Sequence, residues 1–260
     1  MDPHQAALTG HRPFVHRILP AAGSLLLIGL AAFGIVLFLH GSRHGVAGAA
    51  VAPEREPHKI VLFSGQEAEL KQNWLKRGSD EPAAWKIENG AMVSGGGDIV
   101  TKEKFTDFQL HVEFRVPYMP NEHGQARGNS GVGLQARYEI QILDSYGIAD
   151  PGTGDCGAVY DQAAPLFNAC KPPREWQTYD ITFRAPRFDA SGNKTANARV
   201  TVFQNGIPVQ NNQEITGPTG LQIDEDFDKP GPILLQDHGD RMAFRNVWII
   251  PLPLQGANHY

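Results

Sequence analysis

Acidic and amide side chains alternate with apolar side chains in residues 138–143 (YEIQIL), within the longer segment RGNSGVGLQARYEIQILDSYG. A β-strand sends successive side chains to opposite faces, so the pattern predicts a strand with Glu139 and Gln141 on one polar face. Asp144 follows at the end of this strand. A carboxyl group on such a face can accept or donate a proton. The polar face either meets water or lines a cleft, and the alternation alone leaves both interpretations open.

A second predicted strand, residues 108–116 (FQLHVEFRV), has the same alternation. Its polar face would carry His111, Glu113 and Arg115, which adds a titratable imidazole, a second carboxyl and a guanidinium group. A solvated face would also be polar and is the commoner case. Two polar-faced strands without a lysine nevertheless favour a shared cleft over a plain exposed surface.

The segment PILLQDHGD, residues 232–240, predicts a third strand that runs into Gln236 and His238. A histidine beside an acid at a strand end often has only a structural role. The same position also brings a titrating side chain to the rim of a cleft, because loops on a rigid scaffold carry much of protein function. His238 is therefore an acid or base candidate beside Glu139 and His111.

Composition and motifs exclude several classes of protein. The net charge of -5 and the isoelectric point near 6.0 argue against a nucleic-acid partner. Residues 152–157 match G-x-G-x-x-G, but Pro151 rather than a strand precedes them and Pro165 stops any following helix. A phosphate-binding loop needs that strand and that helix, so this match is rejected.

Turn-forming residues predict many short strands, since the chain has 28 glycines and 19 prolines. Two Asn-Gly pairs, at 89–90 and 205–206, predict β-hairpins. No amphipathic helix and no internal repeat stand out between residues 58 and 252. This part therefore predicts one all-β domain, a sandwich or barrel, with a short tail at 253–260.

Residues 18–39 (ILPAAGSLLLIGLAAFGIVLFL) contain no charge and could cross a hydrocarbon core of about 30 Å as a helix. We expect a cytoplasmic tail at 1–17, a transmembrane anchor at 18–39, a linker at 40–57 and an extracytoplasmic domain, periplasmic or at the cell surface. The alternative is a cleaved signal peptide and a secreted domain, although the apolar region of such a peptide usually has only about 7–15 residues.

The two cysteines, Cys156 and Cys170, lie in a predicted loop region rich in glycine and proline. An exported domain meets oxidising conditions, so we expect a disulfide between them. Two unpaired thiols are the alternative, because sequence does not show how closely their Cα atoms approach.

Several segments, in order along residues 60–252, resemble the 3-keto-disaccharide hydrolase family: LFSGQEAELKQNW, WKIENGAMVSGGGDIVTKEKFTDFQLHVEFRVP, RGNSGVGLQARYEIQILDSYG, CGAVY, EWQTYDITFRAPR, TVFQNGIPV and GPILLQDHGDRMAFRNVWIIPL. The resemblance implies a concanavalin A-like jelly roll of two antiparallel sheets with a concave carbohydrate-binding face. Glu139 and Gln141 would then face the cleft. Gly133 departs from the family pattern, in which we expect a larger residue.

The activity that the resemblance implies is the cleavage of glycosides whose C3 hydroxyl has been oxidised to a ketone by a separate sugar 3-dehydrogenase. A base removes the C2 proton, the C1 oxygen leaves by elimination, and water adds to the unsaturated product. The acid or base candidates are Glu139, His238 and His111. The expected substrate-binding residues are Glu113, Arg115, Asn129, Gln141, Asp144, Tyr160 and Gln236. No cofactor is certain, and a divalent metal stays open.

A non-catalytic carbohydrate-binding module is the alternative function, because jelly rolls also serve as lectins. Tryptophans exposed in the cleft would favour the binding module. The four tryptophans of the chain lie in segments that look structural. A cleft rich in titrating groups favours the enzyme.

Overall fold

Antiparallel β-sheets form the framework of residues 58–254, the part of the chain that this computed structural model describes. The strands are β1 (Ile60–Phe63), β2 (Trp74–Lys76), β3 (Lys86–Glu88), β4 (Ala91–Val93), β5 (Ile99–Thr101), β6 (Phe108–Arg115), β7 (Ser130–Leu134), β8 (Tyr138–Ile142), β9 (Gln177–Arg184), β10 (Arg187–Phe188), β11 (Lys194–Ala196), β12 (Ala198–Gln204), β13 (Ile207–Ile215), β14 (Leu234–Leu235) and β15 (Ala243–Pro251). One α-helix, α1 (Glu67–Asn73), and one 3-10 turn (Gly124–Ala126) complete the elements.

Two of the sheets pack as a sandwich. The larger has the order β13-β12-β9-β6-β15-β4-β3, with β1 also paired to β15, and the smaller has the order β2-β5-β14-β7-β8. β10 and β11 form a separate hairpin. This all-β sandwich of antiparallel sheets fits the jelly roll that the sequence predicted.

Apolar side chains from the inner faces of the two sheets form the core. In β6 the alternate residues Phe108, Leu110, Val112 and Phe114 are all fully buried. The two sheets meet where the ring of Tyr138 from β8 lies 5.7 Å from the ring of Phe183 in β9. Burying one large apolar side chain is worth about 1.5–3 kcal/mol, so this face holds the sandwich together.

The two predicted Asn-Gly hairpins are confirmed. Asn89 and Gly90 join β3 to β4 with φ values of 52° and 75°, and Asn205 and Gly206 join β12 to β13 with 53° and 80°. Asparagine and glycine tolerate this left-handed region, and such turns match the twist of the paired strands.

Helix α1 was not predicted. Its sequence EAELKQN buries only Leu70, so it lacks the apolar stripe that marks an amphipathic helix. The helix begins with a capping interaction in which the side chain of Glu69 accepts a hydrogen bond from the backbone N–H of Gln66 at 3.3 Å.

The predicted anchor at 18–39 lies outside the described residues. Within residues 58–254, no helix has the length and hydropathy that crossing a membrane requires.

Candidate functional site

Strand β8 carries Glu139 and Gln141 on the outer face of the smaller sheet, opposite the core. Its other face contributes Tyr138, Ile140 and Ile142 to the core, as the alternation predicted. Gln141 is paired with Gly131 of β7, and Glu139 is paired with Gly133. The two glycines leave the polar side chains of β8 without bulky neighbours on that side.

Six of the predicted site residues line one cavity of about 180 Å³ on this face. The lining residues are Gln125, Asn129, Glu139, Gln141, Tyr160, Gly220, Gln236 and His238. Gln125 and Gly220 were not predicted. Gln125 lies in the short 3-10 turn Gly124–Ala126 and Gly220 lies in a turn, and neither segment has a periodicity that would place it beside the cavity.

Glu139 is only 4% exposed, so it is not the exposed carboxylate that a cleft position suggested. Burial raises the pKa of the Glu139 carboxyl to about 8, and the negative charges of Asp98 and Asp161 add to the increase. Gly131 provides the space for this carboxyl, because a Cβ at that position would clash with Glu139 Oε1. The group is therefore largely protonated at neutral pH and becomes a strong base when it is ionised.

Three carboxamides form a network beside Glu139. Asn129 Nδ2 donates to the backbone oxygen of Gln125 at 2.8 Å and to its Oε1 at 3.1 Å. Gln141 Nε2 donates to Gln125 Oε1 at 3.1 Å, and in the other orientation of its carboxamide it donates to Glu139 Oε1 at 3.1 Å. Gln236 Oε1 is buried and accepts no hydrogen bond from the described residues. Such an orphaned acceptor in a cavity can receive a hydroxyl donor from a ligand.

The exposed side chain of His238 stands at the rim of the cavity. The neighbouring residue Asp237 fixes its loop, because Asp237 Oδ2 accepts from the backbone N–H of Gly97 at 2.7 Å. The backbone N–H of Asp237 in turn donates to Asp98 Oδ1 at 2.8 Å. Asp98 also lies near Glu139 and adds to the increase in the pKa of its carboxyl. The same acidic residue therefore acts on Glu139 and, through Asp237, on the loop that carries His238.

The predicted shared cleft between β6 and β8 is wrong. β6 belongs to the larger sheet, so its polar face lies on the opposite side of the sandwich. There, Nδ1 of His111 lies 2.7 Å from Asp180 Oδ1, and Glu113 accepts from Arg245 Nε at 2.6 Å. The guanidinium of Arg115 stacks on Trp176 at 4.7 Å. These residues are therefore not brought together with Glu139.

Asp144 also lies apart from the cavity. It is 6% exposed, and its backbone oxygen and carboxylate both face Arg127, whose Nε lies 3.0 Å from that oxygen and 3.4 Å from Oδ2. Position 133 holds a glycine and not the larger residue that we expected from the family pattern, because Leu234 fills the adjacent space. A Cβ on Gly133 would lie 2.9 Å from the Cβ of Leu234.

The predicted disulfide is not formed, and both cysteines are free thiols in the structure. They are nevertheless neighbours, since Gln204 Nε2 lies 3.5 Å from Cys156 Sγ and 3.3 Å from Cys170 Sγ. Cys156 Sγ also lies 3.1 Å from the hydroxyl of Tyr179. That hydroxyl donates to the backbone oxygen of Gln141 at 2.6 Å, which links the thiols to strand β8.

Within residues 58–254, no group of three or more histidine, cysteine, aspartate or glutamate side chains is arranged to hold a metal ion. Residues 224–228 (DEDFD) form an acidic turn. It is partly neutralised, because Asp224 accepts from Arg137 at 2.6 Å and Asp226 accepts from Lys229 at 2.8 Å.

The chain is similar to known proteins over most of its length. A candidate glycosyl hydrolase from Parabacteroides distasonis ATCC 8503 is 40% identical, with a TM-score of 0.67 over 75% of this chain and 84% of that one. A second candidate glycosyl hydrolase from the same organism is 21% identical, with a TM-score of 0.55 over 75% of this chain and 94% of that one, and shows the fold alone. No curated protein matches the chain significantly.

Residues 58–250 match the family described as a 3-keto-alpha-glucoside-1,2-lyase-like domain. These residues include β8 and every residue that lines the cavity around Glu139. The chain therefore belongs to the family of 3-keto-alpha-glucoside-1,2-lyase-like domains, as its sequence segments predicted.

Proposed function

We propose that the cavity around Glu139 cleaves 3-keto-glycosides by elimination followed by hydration. The observation that carries this proposal is a buried carboxyl with a pKa of about 8, held in a cavity of carboxamides. The family supports a substrate of this class. A carbonyl at C3 makes the C2 proton acidic, so the reaction needs one strong base and not the two facing carboxylates of ordinary glycosidases.

In this mechanism the ionised carboxylate of Glu139 takes the C2 proton. The C2 electron pair forms a double bond to C1, and the bond between C1 and the leaving oxygen breaks. His238 at the rim would protonate that oxygen. Water then adds across the double bond with its hydroxyl at C1 and a proton at C2. Burial makes Glu139 a stronger base than a solvated glutamate, which favours removal of a proton from carbon.

The carboxamides and Tyr160 bind the sugar in this proposal. Gln236 Oε1 lacks a donor among the described residues and would accept from a sugar hydroxyl. The network of Gln125, Asn129 and Gln141 presents further donors and acceptors to the cavity. Because the substrate carries a ketone at C3, a separate dehydrogenase that oxidises sugar hydroxyls would supply it.

The test uses the full chain and a panel of 3-keto-glucosides with a chromogenic aglycone. We expect aglycone release, and Glu139→Gln should lower the rate by about 10²–10⁴ because the general base is lost. The same substitution should stop exchange of the C2 proton with solvent deuterium. Glu113→Gln is the matched control, since Glu113 lies on the opposite side of the sandwich and should keep the wild-type rate.

The pH dependence gives a second readout. If Glu139 is the base in the free enzyme, kcat/KM should rise about tenfold per pH unit and level off near pH 8. A kcat/KM that does not rise between pH 6 and pH 8 would contradict the role of Glu139 as base, whereas a fall at higher pH would report only the loss of the proton donor to the leaving oxygen. If the wild-type chain binds glycans tightly but releases no aglycone from any 3-keto-glucoside, the carbohydrate-binding module is the better interpretation.

A further inference from the structure

Three arginines line a concavity of about 450 Å³ where β6 ends and β15 begins. They are Arg115, Arg174 and Arg241, and Glu88 is the acidic residue beside them. This concavity shares no lining residue with the cavity around Glu139. The chain as a whole has a net charge of -5, so the positive charge here is a local feature.

Only one of the three arginines is neutralised within the described part of the chain. Nη2 of Arg241 donates to both oxygens of Glu88, at 2.8 and 3.0 Å. Arg115 and Arg174 form no ion pair and no side-chain hydrogen bond with any of residues 58–254. Two guanidinium groups therefore face the concavity with unused donors.

Aromatic rings hold both of these guanidinium groups. Arg115 lies 4.7 Å from the ring centre of Trp176, and Arg174 lies 4.8 Å from that of Tyr118. Stacking uses the flat face of a guanidinium and leaves its in-plane N–H donors free. Those donors form a fork that matches two oxygens of a carboxylate or a sulfate.

The backbone of Arg174 adds an independent observation. Its φ is 72°, a left-handed value that non-glycine residues adopt uncommonly and at some energetic expense. The backbone N–H of Arg174 donates to the oxygen of Val116 at 3.0 Å, which fixes this conformation. Strained backbone of this kind is concentrated at ligand sites, because the surrounding structure must hold it in place.

We propose that this concavity is a second binding site, specific for a saccharide that carries a carboxylate or sulfate group. Arg115 and Arg174 bind the anionic group, and the half-exposed ring of Tyr118 provides an apolar surface for the sugar ring. That the anionic group belongs to a saccharide rests on the proposed function. This second site would bind an acidic part of a glycan while the cavity around Glu139 cleaves a bond in another part of the same glycan.

The experiment is calorimetric titration of the full chain at low salt. The probes are trigalacturonate, a sulfated trisaccharide, neutral cellotriose, inorganic phosphate and polyglutamate. We expect one or both acidic saccharides to bind and cellotriose not to bind. Arg115→Gln and Arg174→Gln should each weaken binding about tenfold, the loss of one charge-assisted hydrogen bond. Because the site is open, added salt should weaken binding as well.

Two variants control for charge and shape. Arg184 is an exposed residue of β9 and has no ion pair with any of residues 58–254. Arg184→Gln therefore removes a positive charge outside the site and should leave the affinity for acidic saccharides unchanged. Arg174→Lys keeps the charge but loses the fork, so its affinity should lie between those of the wild type and Arg174→Gln. Circular dichroism establishes that each variant is folded.

The proposal would be overturned if cellotriose bound as tightly as the acidic saccharides, or if both glutamine variants bound them with wild-type affinity. Tighter binding of phosphate or polyglutamate than of either acidic saccharide would also overturn it. Glu139→Gln should bind acidic saccharides normally. If the wild type binds them without cleaving any 3-keto-glucoside, the proposed function fails while this site stands.

Discussion

The carboxyl of Glu139 affects stability as well as the proposed chemistry. In the folded chain its pKa is raised to about 8, whereas an unfolded chain would leave it near 4.5. Below pH 4.5 the group is protonated in both states. Between these values only the unfolded state releases the proton, so the free energy of unfolding falls as pH rises from about 4.5 to about 8.

We therefore predict that Glu139→Gln stabilises the protein at high pH. The glutamine keeps the shape and cannot ionise, so at pH 9 the variant should be more stable than the wild type by roughly 1–4 kcal/mol. At pH 4 the two should unfold at similar temperatures. Thermal unfolding followed by circular dichroism at both pH values measures this. Equal stability at pH 9 would mean that the carboxyl ionises without penalty and is not buried as described.

At the scale of single residues, six of the eight residues that line the candidate cavity could be predicted from the sequence. Glu139 and Gln141 were recognisable because strand alternation determines which side chains share a face. The raised pKa of Glu139 was not recognisable, since it depends on burial and on the charges of Asp98 and Asp161, which come from other segments. His111 was misplaced because alternation shows that a strand has a polar face but not to which sheet the strand belongs.

Strand β7 matters at the next scale, that of the elements, because its two glycines face the cavity side of the sheet. We predict that Gly131→Ala lowers kcat/KM by about 10²-fold, since the new Cβ would displace the carboxyl of Glu139. Gly133→Ala is the matched control. Its Cβ would press on Leu234, so it should reduce the free energy of unfolding by about 1–3 kcal/mol and leave the carboxyl in place. A wild-type kcat/KM in Gly131→Ala would contradict this prediction, because it would show that the carboxyl of Glu139 keeps its working position beside the new Cβ.

The opposite face of β8 allows a prediction about stability alone. Ile140 is fully buried in the core, so Ile140→Ala should reduce the free energy of unfolding by about 2–5 kcal/mol. The remaining folded enzyme should keep its kcat, because Glu139 points the other way. Urea unfolding and single-substrate kinetics measure the two quantities. A loss of less than 1 kcal/mol would contradict the placement of this face in the core.

Long strands and Asn-Gly hairpins could be predicted at this scale, whereas β2, β5 and helix α1 could not. β2 and β5 have three residues each, too few for alternation to stand out from chance. Helix α1 buries one side chain and so has no apolar stripe. Tertiary packing, rather than local pattern, determines such elements.

For the whole molecule, the charge-free segment 18–39 leads to a prediction about fractionation. The full chain should sediment with membranes, resist a high-salt wash and dissolve in detergent, because about 20 apolar residues suffice to span a bilayer. A chain shortened to residues 53–260, which keeps all of the described residues 58–254, should stay in the supernatant. Release of the intact full chain by salt alone would contradict the anchor.

The pairing of β1 with β15 has a consequence for biosynthesis. Ile60 is paired with Ile249, so β1, the first of the described strands to leave the ribosome, needs β15, the last of them, as its neighbour. At about 5–20 residues per second, the apolar strand IVLF would wait roughly 10–40 s without its partner. β15 also pairs with β4 on one side and β6 on the other, so a nascent chain without β15 cannot connect the two parts of the larger sheet. Chaperones would have to protect β1 during that interval, and a premature stop before residue 243 would leave an aggregation-prone chain.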